Sequence, residues 1–497
     1  MVQALLEPAR YPAGAADVAL VETHISWVLL AGAFAYKIKK PLKLPFLDFS
    51  TPALRQQCCE DELRLNRRFA PDIYLDVIAI TGTPDDPRLG GSGPILDHAV
   101  RMRRFDERQR LDRVCARGEL TPAHMSDLAD TLVAFHADAA VAPLDARFGA
   151  PAHILAPAID NFHALAQLIP EAPLQQRLAR LRAWTETEHQ RLTALMQARK
   201  ATGKVRECHG DLHLANMVLI DGHVRMFDCL EFNEDLRWLD TSNEIAFTYV
   251  DLLDHGVPAL ANWFVDEVIS RSGDYAAAAL LRFYAVYRAL VRAKVAAIRH
   301  GQTQDSGETH AVQTFVAQAE KLVAPAPQYL VITHGLAGCG KTVASSRWLQ
   351  TDPHARTLRV RSDVERKRLF GLARSARSGS DTEAGIYTRN AHALTYQRLA
   401  ELAETILQAG WSVLVDAAFL QRAERDAFHA LARQHNAQFA ILAPQADTAV
   451  LRQRIMARQA AGKDASEATV EVLERQLQWI EPLGDDEIAL QMTQLPR

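Results

Sequence analysis

Cysteine is scarce: the 497 residues hold six, at Cys58, Cys59, Cys115, Cys208, Cys229 and Cys339. Only Cys58 and Cys59 are close together, as direct neighbours, so the chain has neither a disulfide framework nor a C-x-x-C metal pair. Free thiols in a reducing compartment are the expectation. An excess of positive charge is also missing. Lys and Arg number 56 against 60 Asp and Glu, the net charge is -4, and no general basic field exists to attract nucleic acid or an anionic membrane. Long apolar runs are absent too; the one from Trp27 to Tyr36 is about half of what a bilayer-spanning helix needs. The opening MVQALLEPARYPAG lacks the basic start and long apolar stretch of a secretion signal. No internal repeat or low-complexity tract is visible. These absences predict a soluble cytoplasmic protein with no membrane partner.

What is present is globular in character, with 48% apolar and 23% charged residues. The length is too great for one ordinary core and predicts two or three domains. Residues 15 to 105 read as strands with one helix. Val18–Val21 and Ser26–Leu30 are short apolar runs, Ala31-Gly32 is a turn, and Phe34–Lys39 sets Phe34, Tyr36 and Ile38 against Lys37 and Lys39. A helix is predicted from about Thr51 to Arg68, a strand over Ile73–Ile80, and helices over Thr121–His136, Leu174–Met196 and 274–300. The polar stretch GQTQDSG (301–307), a short helix through Leu322, and Ala324-Pro325-Ala326-Pro327 form a connector. The predicted division is therefore residues 1–323, a linker at 324–328, and 329–497. In the last part, strand and helix alternate as in a parallel sheet flanked by helices.

Gly335-Leu336-Ala337-Gly338-Cys339-Gly340-Lys341-Thr342 matches G-x-x-x-x-G-K-[ST] in full, between the strand YLVITH and the helical stretch TVASSRWLQ. Glycines let successive backbone N–H groups turn around phosphate oxygens, and the helix start at Thr342-Val343 adds a favourable dipole. Lys341 would reach the β/γ-phosphates and the Thr342 hydroxyl would hold Mg²⁺. Asp416 ends the apolar run Val413-Leu414-Val415; it is either a metal-supporting carboxylate or a strand-end turn residue. After Leu358–Arg361, Ser362 would cap a helix, or Asp363 would accept the proton of a substrate hydroxyl with Arg366 holding an anionic group. Arg454 and Arg458, four apart, share a helix face that either closes over phosphates or lies in solvent. GLAGCGKT, RSDVERKRL, SVLVDAAF and an arginine-rich helix, in that order, resemble the small-molecule P-loop kinases, such as gluconate kinase, chloramphenicol phosphotransferase and the kinase part of polynucleotide kinases. That resemblance implies ATP, Mg²⁺, Asp363 as general base and an arginine lid, over residues 329 to about 485.

The other half carries C208-H-G-D-L-H-L-A-N-M-V-L219, with Asp211 and Asn216 five apart as in a kinase catalytic loop. Twelve residues after Asn216, the run from His223 to Phe227 ends in Asp228. Upstream, Lys37 or Lys39 lies on a strand, and the helix with Glu60 and Glu62 follows. These types suit phosphoryl transfer: Asp211 orients a hydroxyl, Asn216 and Asp228 hold metal, and a lysine grips phosphates. HGD in place of HRD resembles the aminoglycoside phosphotransferase and choline kinase group. Across about residues 20 to 300 this implies a bilobal protein-kinase-like fold, Asp211 as catalytic base, Asn216 and Asp228 as metal ligands, and Glu62 as partner of the strand lysine. The segment AYKIKKP aligns best with Lys37 in that role, and Lys39 shares its strand face. No G-x-G-x-x-G precedes the lysine; Thr23-His24-Ile25-Ser26 stands as a substitute, and Asp228-Cys229-Leu230 replaces D-F-G.

Asp240, with Glu244 after it, lies where this fold places acceptor contacts. ETHISWVLL, ELRLNRRFAPDIYL, YRALVRAKVAA and DASEAT resemble a bacterial group that fuses the two modules. The expectation is an ATP-dependent phosphotransferase with two sites acting on a small-molecule hydroxyl. Two alternatives are a regulatory protein whose first half binds ligand without turnover, and a nucleic-acid kinase. The acceptors and the oligomeric state stay open.

Overall fold

The computed structural model describes residues 1–12, 17–44, 47–303, 306–374, 376, 388–461 and 468–493. Packing divides the chain into two units, Met1–Asp160 with His189–Asp251, and Asn161–Glu188 with Leu252–Arg497. The 324–328 connector does run without helix or strand. The packing division nevertheless falls elsewhere, within helices.

In the first unit, β1 (Val18–Glu22), β2 (Ser26–Ala31) and β3 (Phe34–Lys39) form a meander. A two-residue ladder of β4 (Lys43–Leu44) and β5 (Leu47–Asp48) follows, then α1 (Pro52–Asn66), β6 (Tyr74–Gly82), β7 (Pro87–Leu89) and β8 (Ile95–Arg103). The antiparallel sheet has the order β1-β2-β3-β8-β6-β7. Alternation on β3 does two jobs. Tyr36 and Ile38 pack with Leu29, Ile80, Ala99 and the N-terminal Leu5 and Tyr11. Lys37 and Lys39 point the other way, to Glu62 of α1. Helix α1 starts where the Thr51 hydroxyl accepts from the Leu54 amide and Pro52 takes the first turn. Its buried Arg55, Cys59, Glu62 and Asn66 recur at helical spacing and make one face.

Helices α2 (Leu111–Ala116), α3 (Pro122–Asp138), α4 (Pro151–Leu168) and α5 (Ala172–Ala201) follow. Next come β9 (Val205–Glu207), the hairpin β10 (Met217–Ile220) and β11 (His223–Met226), β12 (Trp238–Asp240) and α6 (Thr241–Asp254). Asp221 (φ 53°) and Gly222 (φ 79°) form the left-handed two-residue turn that an Asp-Gly pair favours.

The second unit contains α7 (Pro258–Ser272), α8 (Ala278–Thr303) and α9 (Ser306–Val323), so most of GQTQDSG is helical; Gln304 and Asp305 lie outside the described residues. Then come β13 (Tyr329–Thr333), α10 (Lys341–Thr351), β14 (Thr357–Arg361), α11 (Ser362–Leu369), α12 (Arg389–Gln408), β15 (Ser412–Asp416) and α13 (Arg422–Gln434). Strand β16 (Gln438–Leu442), α14 (Thr448–Ala461), α15 (Val470–Trp479) and α16 (Asp485–Ile488) complete it. The sheet is wholly parallel, in the order β14-β15-β13-β16. Its strand β13 is buried at every position, which explains the uninterrupted apolar run.

Strand β14 is a sheet edge whose outward amides would lack partners. Helix α7 supplies them. Asn262 Oδ1 accepts from the Thr357 amide at 3.0 Å, and Asp266 Oδ1 accepts from the Arg359 amide at 2.6 Å, from side chains one helical turn apart. Among the described residues, no helix is long and apolar enough to cross a membrane.

Candidate active sites

Hairpin β10–β11 explains the twelve-residue spacing from Asn216 to Asp228. Met217 pairs with Met226, and the Phe227 amide donates to the Asn216 carbonyl at 3.0 Å, so the hairpin returns Asp228 to the end where Asn216 sits. A single 3₁₀ turn, Leu214–Asn216, folds Asn216 back onto the loop. Its amide donates to the Asp211 carbonyl at 3.0 Å and to Asp211 Oδ2 at 3.1 Å.

Lys37 Nζ lies 2.8 Å from Glu62 Oε1 and 2.5 Å from Asp228 Oδ1. Lys39 is fully buried and pairs with Glu62 Oε2 and Glu231. Burial pushes the Lys39 ammonium down, but Glu231 and Glu62 outweigh it and hold it charged above the usual lysine range. Glu62 therefore braces both lysines, and Lys37 is the one that meets Asp228. Asp228 has φ 63°, a left-handed conformation rare outside glycine that costs of order 1 kcal/mol or more. It is held there by the Tyr74 hydroxyl accepting from its amide at 2.9 Å. The departure Asp228-Cys229-Leu230-Glu231 has local reasons: the Cys229 amide donates to Asn66 of α1, and Glu231 answers Lys39.

The loop 209–214 is held by α6. Glu244 Oε1 accepts from the His209 and Gly210 amides at 2.6 and 2.8 Å, while Oε2 meets His136 Nε2 at 2.7 Å. The Thr248 hydroxyl donates to the Leu212 carbonyl, and Asp251 accepts from the Leu214 amide. These three side chains recur at i, i+4 and i+7 on a helix buried along nearly its whole length. Polar residues at that spacing within an apolar helix were the available signal, and the sequence reading passed over it. His209 is buried, stacks on Phe69, and bonds the Phe227 carbonyl through Nε2. Burial holds its pKa below the usual imidazole value, which suits a buttress. His213, given no role from sequence, has Nε2 3.4 Å from Asp211 Oδ2.

Two expected acceptor contacts are corrected. Asp240 is 3% exposed, and Arg199 grips both its oxygens at 2.7 and 2.9 Å, with Ser242 bonded to the same carboxylate. Glu244 is buried and committed to the 209–214 loop. Neither faces a substrate. Asp240→Asn is expected to cost about 3 kcal/mol in unfolding, by leaving Arg199 with half of its partner. Acceptor KM should stay unchanged in the surviving fold, which denaturation and steady-state kinetics would check. The Thr23 hydroxyl is bonded to Ser26 within the β1–β2 turn, so that loop is closed on itself.

In the second unit, one cavity of about 940 Å³ gathers most of what the sequence singled out. Ala337 to Val343 of the Gly-rich loop, Asp363, Arg366, Asp416, Arg454 and Arg458 all line it. Gly335 and Leu336 do not line it. They receive Lys341, whose Nζ donates to both carbonyls at 2.9 Å. Gly335, Gly338 and Gly340 have φ of 139°, 81° and 102°. A Cβ on Gly335 would meet Cys339 Sγ at 2.9 Å, and one on Gly338 the Leu451 carbonyl at 3.0 Å, so this loop shape requires glycine. Its backbone curls into a cradle ahead of α10, which fits a bound phosphate chain.

Asp416 faces the first turns of α10, with Oδ2 3.2 Å from the Ser345 hydroxyl, which itself donates to the Thr342 carbonyl. Asp416 and Thr342 line the same cavity, and a carboxylate with a hydroxyl suits a hard divalent cation. Ser362 is the first residue of α11 rather than its cap, and the capping position, Arg361, makes no side-chain cap bond. Arg366 Nη1 lies 3.7 Å from Asp363 Oδ1. Arg454 donates to the Gly338 carbonyl at 3.3 Å and Arg458 to that of Ala468. Arg452, their neighbour in sequence, instead pairs with Glu474.

Residues 330–483 match the AAA domain family. Uncharacterized proteins of Mycobacterium tuberculosis (Rv2004c) and Mycobacterium bovis (Mb2027c) are each 28% identical over 459 residues, covering 92% of this chain and 90% of theirs. Solved structures with some likeness include a choline/ethanolamine kinase family protein from Mesorhizobium loti, with TM-score 0.41 and 12% identity, covering 65% of this chain and 94% of that one. A thermostable mutant of aminoglycoside phosphotransferase APH(4)-Ia gives TM-score 0.41 and 11% identity, covering 65% and 98%.

In the N-terminal region the antiparallel sheet carries the Lys37–Glu62 pair, Asp228 meets Lys37, and Asn216 bonds Asp211. The C-terminal part is a P-loop domain on a parallel sheet. The P-loop domain supports phosphotransfer in general terms, with the nucleotide use such a fold implies.

Proposed function

We propose that this chain is an ATP- and Mg²⁺-dependent phosphotransferase with two nucleotide sites, moving the γ-phosphoryl group to hydroxyls of small molecules. The observation that carries the reading is the single cavity shared by the Gly-rich loop, Asp363, Asp416 and the arginines of α14. Loop amides and Lys341 bind and orient the β- and γ-phosphates there. Asp363 takes the proton from the acceptor hydroxyl as its oxygen bonds to phosphorus and the bond to the β-phosphate oxygen breaks. Arg454 and Arg458 stabilise the charge that spreads over the transferring group. Thr342 and Asp416 would hold the magnesium ion, which supplies charge neutralisation when bound.

In the kinase-like unit, Asp211 takes the part of Asp363 and Lys37 grips phosphate, with Asn216 and Asp228 as the metal-holding pair. The acceptors are small hydroxylated molecules rather than nucleic acid, in keeping with the slight negative charge of the chain.

ADP formation across a panel of hydroxylated metabolites tests this with wild type, Lys341→Ala and Asp211→Asn. Each substitution is expected to remove a different acceptor's signal by roughly 10³-fold or more. Unchanged turnover in both variants would end the reading.

A further inference from the structure

Helix α11 carries Asp363 on one side and a buried clamp on the other. At about 100° per residue, Asp363 and Arg366 lie on the face toward the P-loop cavity, and Glu365 and Arg368 lie on nearly the opposite one. The helix has only eight residues and its start makes no side-chain cap bond, so little in α11 itself fixes its direction. A roll of about 20° about its axis would carry a carboxylate at the helix rim roughly 2 Å. Misplacement of about 1 Å at a reacting group can lower a rate about a hundredfold. The aim of Asp363 therefore depends on what grips the far face.

The grip comes from the end of α7 and the turn after it. Glu365 is fully buried, and the Tyr275 hydroxyl donates to its Oε1 at 3.0 Å. Arg368 meets the same oxygen and donates through Nη2 to the Ser270 carbonyl at 2.7 Å. That carbonyl is one of the last four of α7, which a helix leaves without an internal amide partner and where a cation is favoured. Gly273 ends α7 at φ 70°, and a Cβ there would lie 2.8 Å from Arg368 Nε, so the bare glycine makes room for the guanidinium. Arg398 of α12 stands 3.9 Å from the other Glu365 oxygen. Burial, with Glu365 beside it, holds the Tyr275 hydroxyl above the usual phenol range and keeps it a donor. Apolar contact would press α11 onto α7 without setting its roll; hydrogen bonds are directional and set it.

We infer that Tyr275, acting through Glu365, is a positioning residue for phosphoryl transfer at the P-loop site, fixing the roll of α11 and with it the aim of Asp363 into the cavity. The inference rests on reading Asp363 as the group that takes the hydroxyl proton. Ser270, Gly273 and Tyr275 all precede the residues that match the AAA domain family, which begin at 330. The acceptor side of the site is thus completed by chain outside the matched segment. Its phosphate side is built on other elements, the Gly-rich loop and α10, so Tyr275 governs transfer rather than nucleotide binding.

The full chain is assayed as wild type, Tyr275→Phe and Asp363→Asn. ADP formation from magnesium–ATP is followed with the best acceptor of the metabolite panel, or with water where the panel gives none. Tyr275→Phe is expected to lower kcat roughly tenfold or more, while calorimetric affinity for a non-hydrolysable ATP analogue stays within about twofold of wild type. Amide hydrogen exchange over 362–369 should quicken about tenfold and that over 341–351 should not, because only α11 is released. Arg368→Lys, which keeps a cation at the end of α7, should retain more of kcat than Arg368→Ala. A merely structural role would lower thermal stability and leave the kcat of the folded enzyme alone. With Asp363→Asn inactive, an unchanged kcat or unchanged α11 exchange in Tyr275→Phe would overturn the inference and spare the reading of the site. Equal losses of rate and nucleotide affinity would overturn it too. A wild type that forms no ADP, or one whose rate Asp363→Asn leaves untouched, would remove the reading itself and the inference with it.

Discussion

Lys341→Ala is expected to lower nucleotide-dependent turnover at the P-loop site by roughly 10³-fold while leaving the fold intact. The reason is geometric. Lys341 Nζ now rests on the Gly335 and Leu336 carbonyls at the loop's own mouth, two neutral acceptors that water can replace. Losing those bonds costs little stability, on the order of 1 kcal/mol. Losing the cation removes the point charge that would face the β/γ-phosphates throughout the transfer. Two measurements separate these effects. The thermal midpoint without nucleotide should stay close to wild type, whereas the rise on adding magnesium nucleotide should shrink sharply, since stabilisation by a ligand follows its affinity. Turnover within tenfold of wild type, or an undiminished ligand-induced shift, would show that the loop is not the phosphate cradle its shape suggests.

Asp266→Ala should destabilise the second unit by about 3–5 kcal/mol, the usual loss when one partner of a buried ion pair is removed. Asp266 is 1% exposed and serves twice. One oxygen accepts from the edge-strand amide of Arg359, and the other lies 3.3 Å from the Arg359 guanidinium. Alanine would leave both donors buried, with Glu267 Oε1 at 3.5 Å the guanidinium's remaining carboxylate. Asparagine should cost about half as much, because its carbonyl still satisfies the amide. The direction of the carboxyl's pKa supports that ranking: burial raises it despite the nearby Arg359, so the charge itself adds little to stability. Denaturant unfolding of the two variants, followed by tryptophan fluorescence, measures the difference. Equal losses would mean that the ion pair outweighs the backbone bond.

The same contacts explain why packing does not divide the chain at the Pro-rich connector. Residues 324–328 carry the composition of a linker, and a linker's composition reports the stiffness of the backbone locally. It says nothing about which helix satisfies an exposed strand edge. Asn262 and Asp266 lie more than 50 residues upstream of that connector, and nothing in their local pattern announces partners at Thr357 and Arg359.

Much of the rest was readable. Strands β3 and β13 and the start of α1 were legible because alternation, an uninterrupted apolar run and a Thr-Pro cap are written locally. The Gly-rich loop was legible for the same reason, since three residues that must be glycine announce a backbone shape. Asp240 was misread because a carboxylate in sequence has no direction. Arg199, some forty residues away, turns it into a buried ion pair. The choice between Lys37 and Lys39 had the same character: both sit on one strand face and both meet Glu62, and only the positions of Asp228 and Glu231 distinguish the lysine that meets Asp228 from the one that meets Glu231.

Structure that depends on neighbours along the chain, such as a Gly-rich loop, a tight hairpin or an apolar strand, was therefore written in residue order. Chemistry that depends on charges meeting across the fold was not. The pairing of Lys39 with Glu231, the hold of Glu244 on the loop and the gathering of seven arginines around one cavity are facts of distance. Coulomb energy and hydrogen bonding respond to separation in space, and residue order carries that separation only over a turn or two of helix or strand.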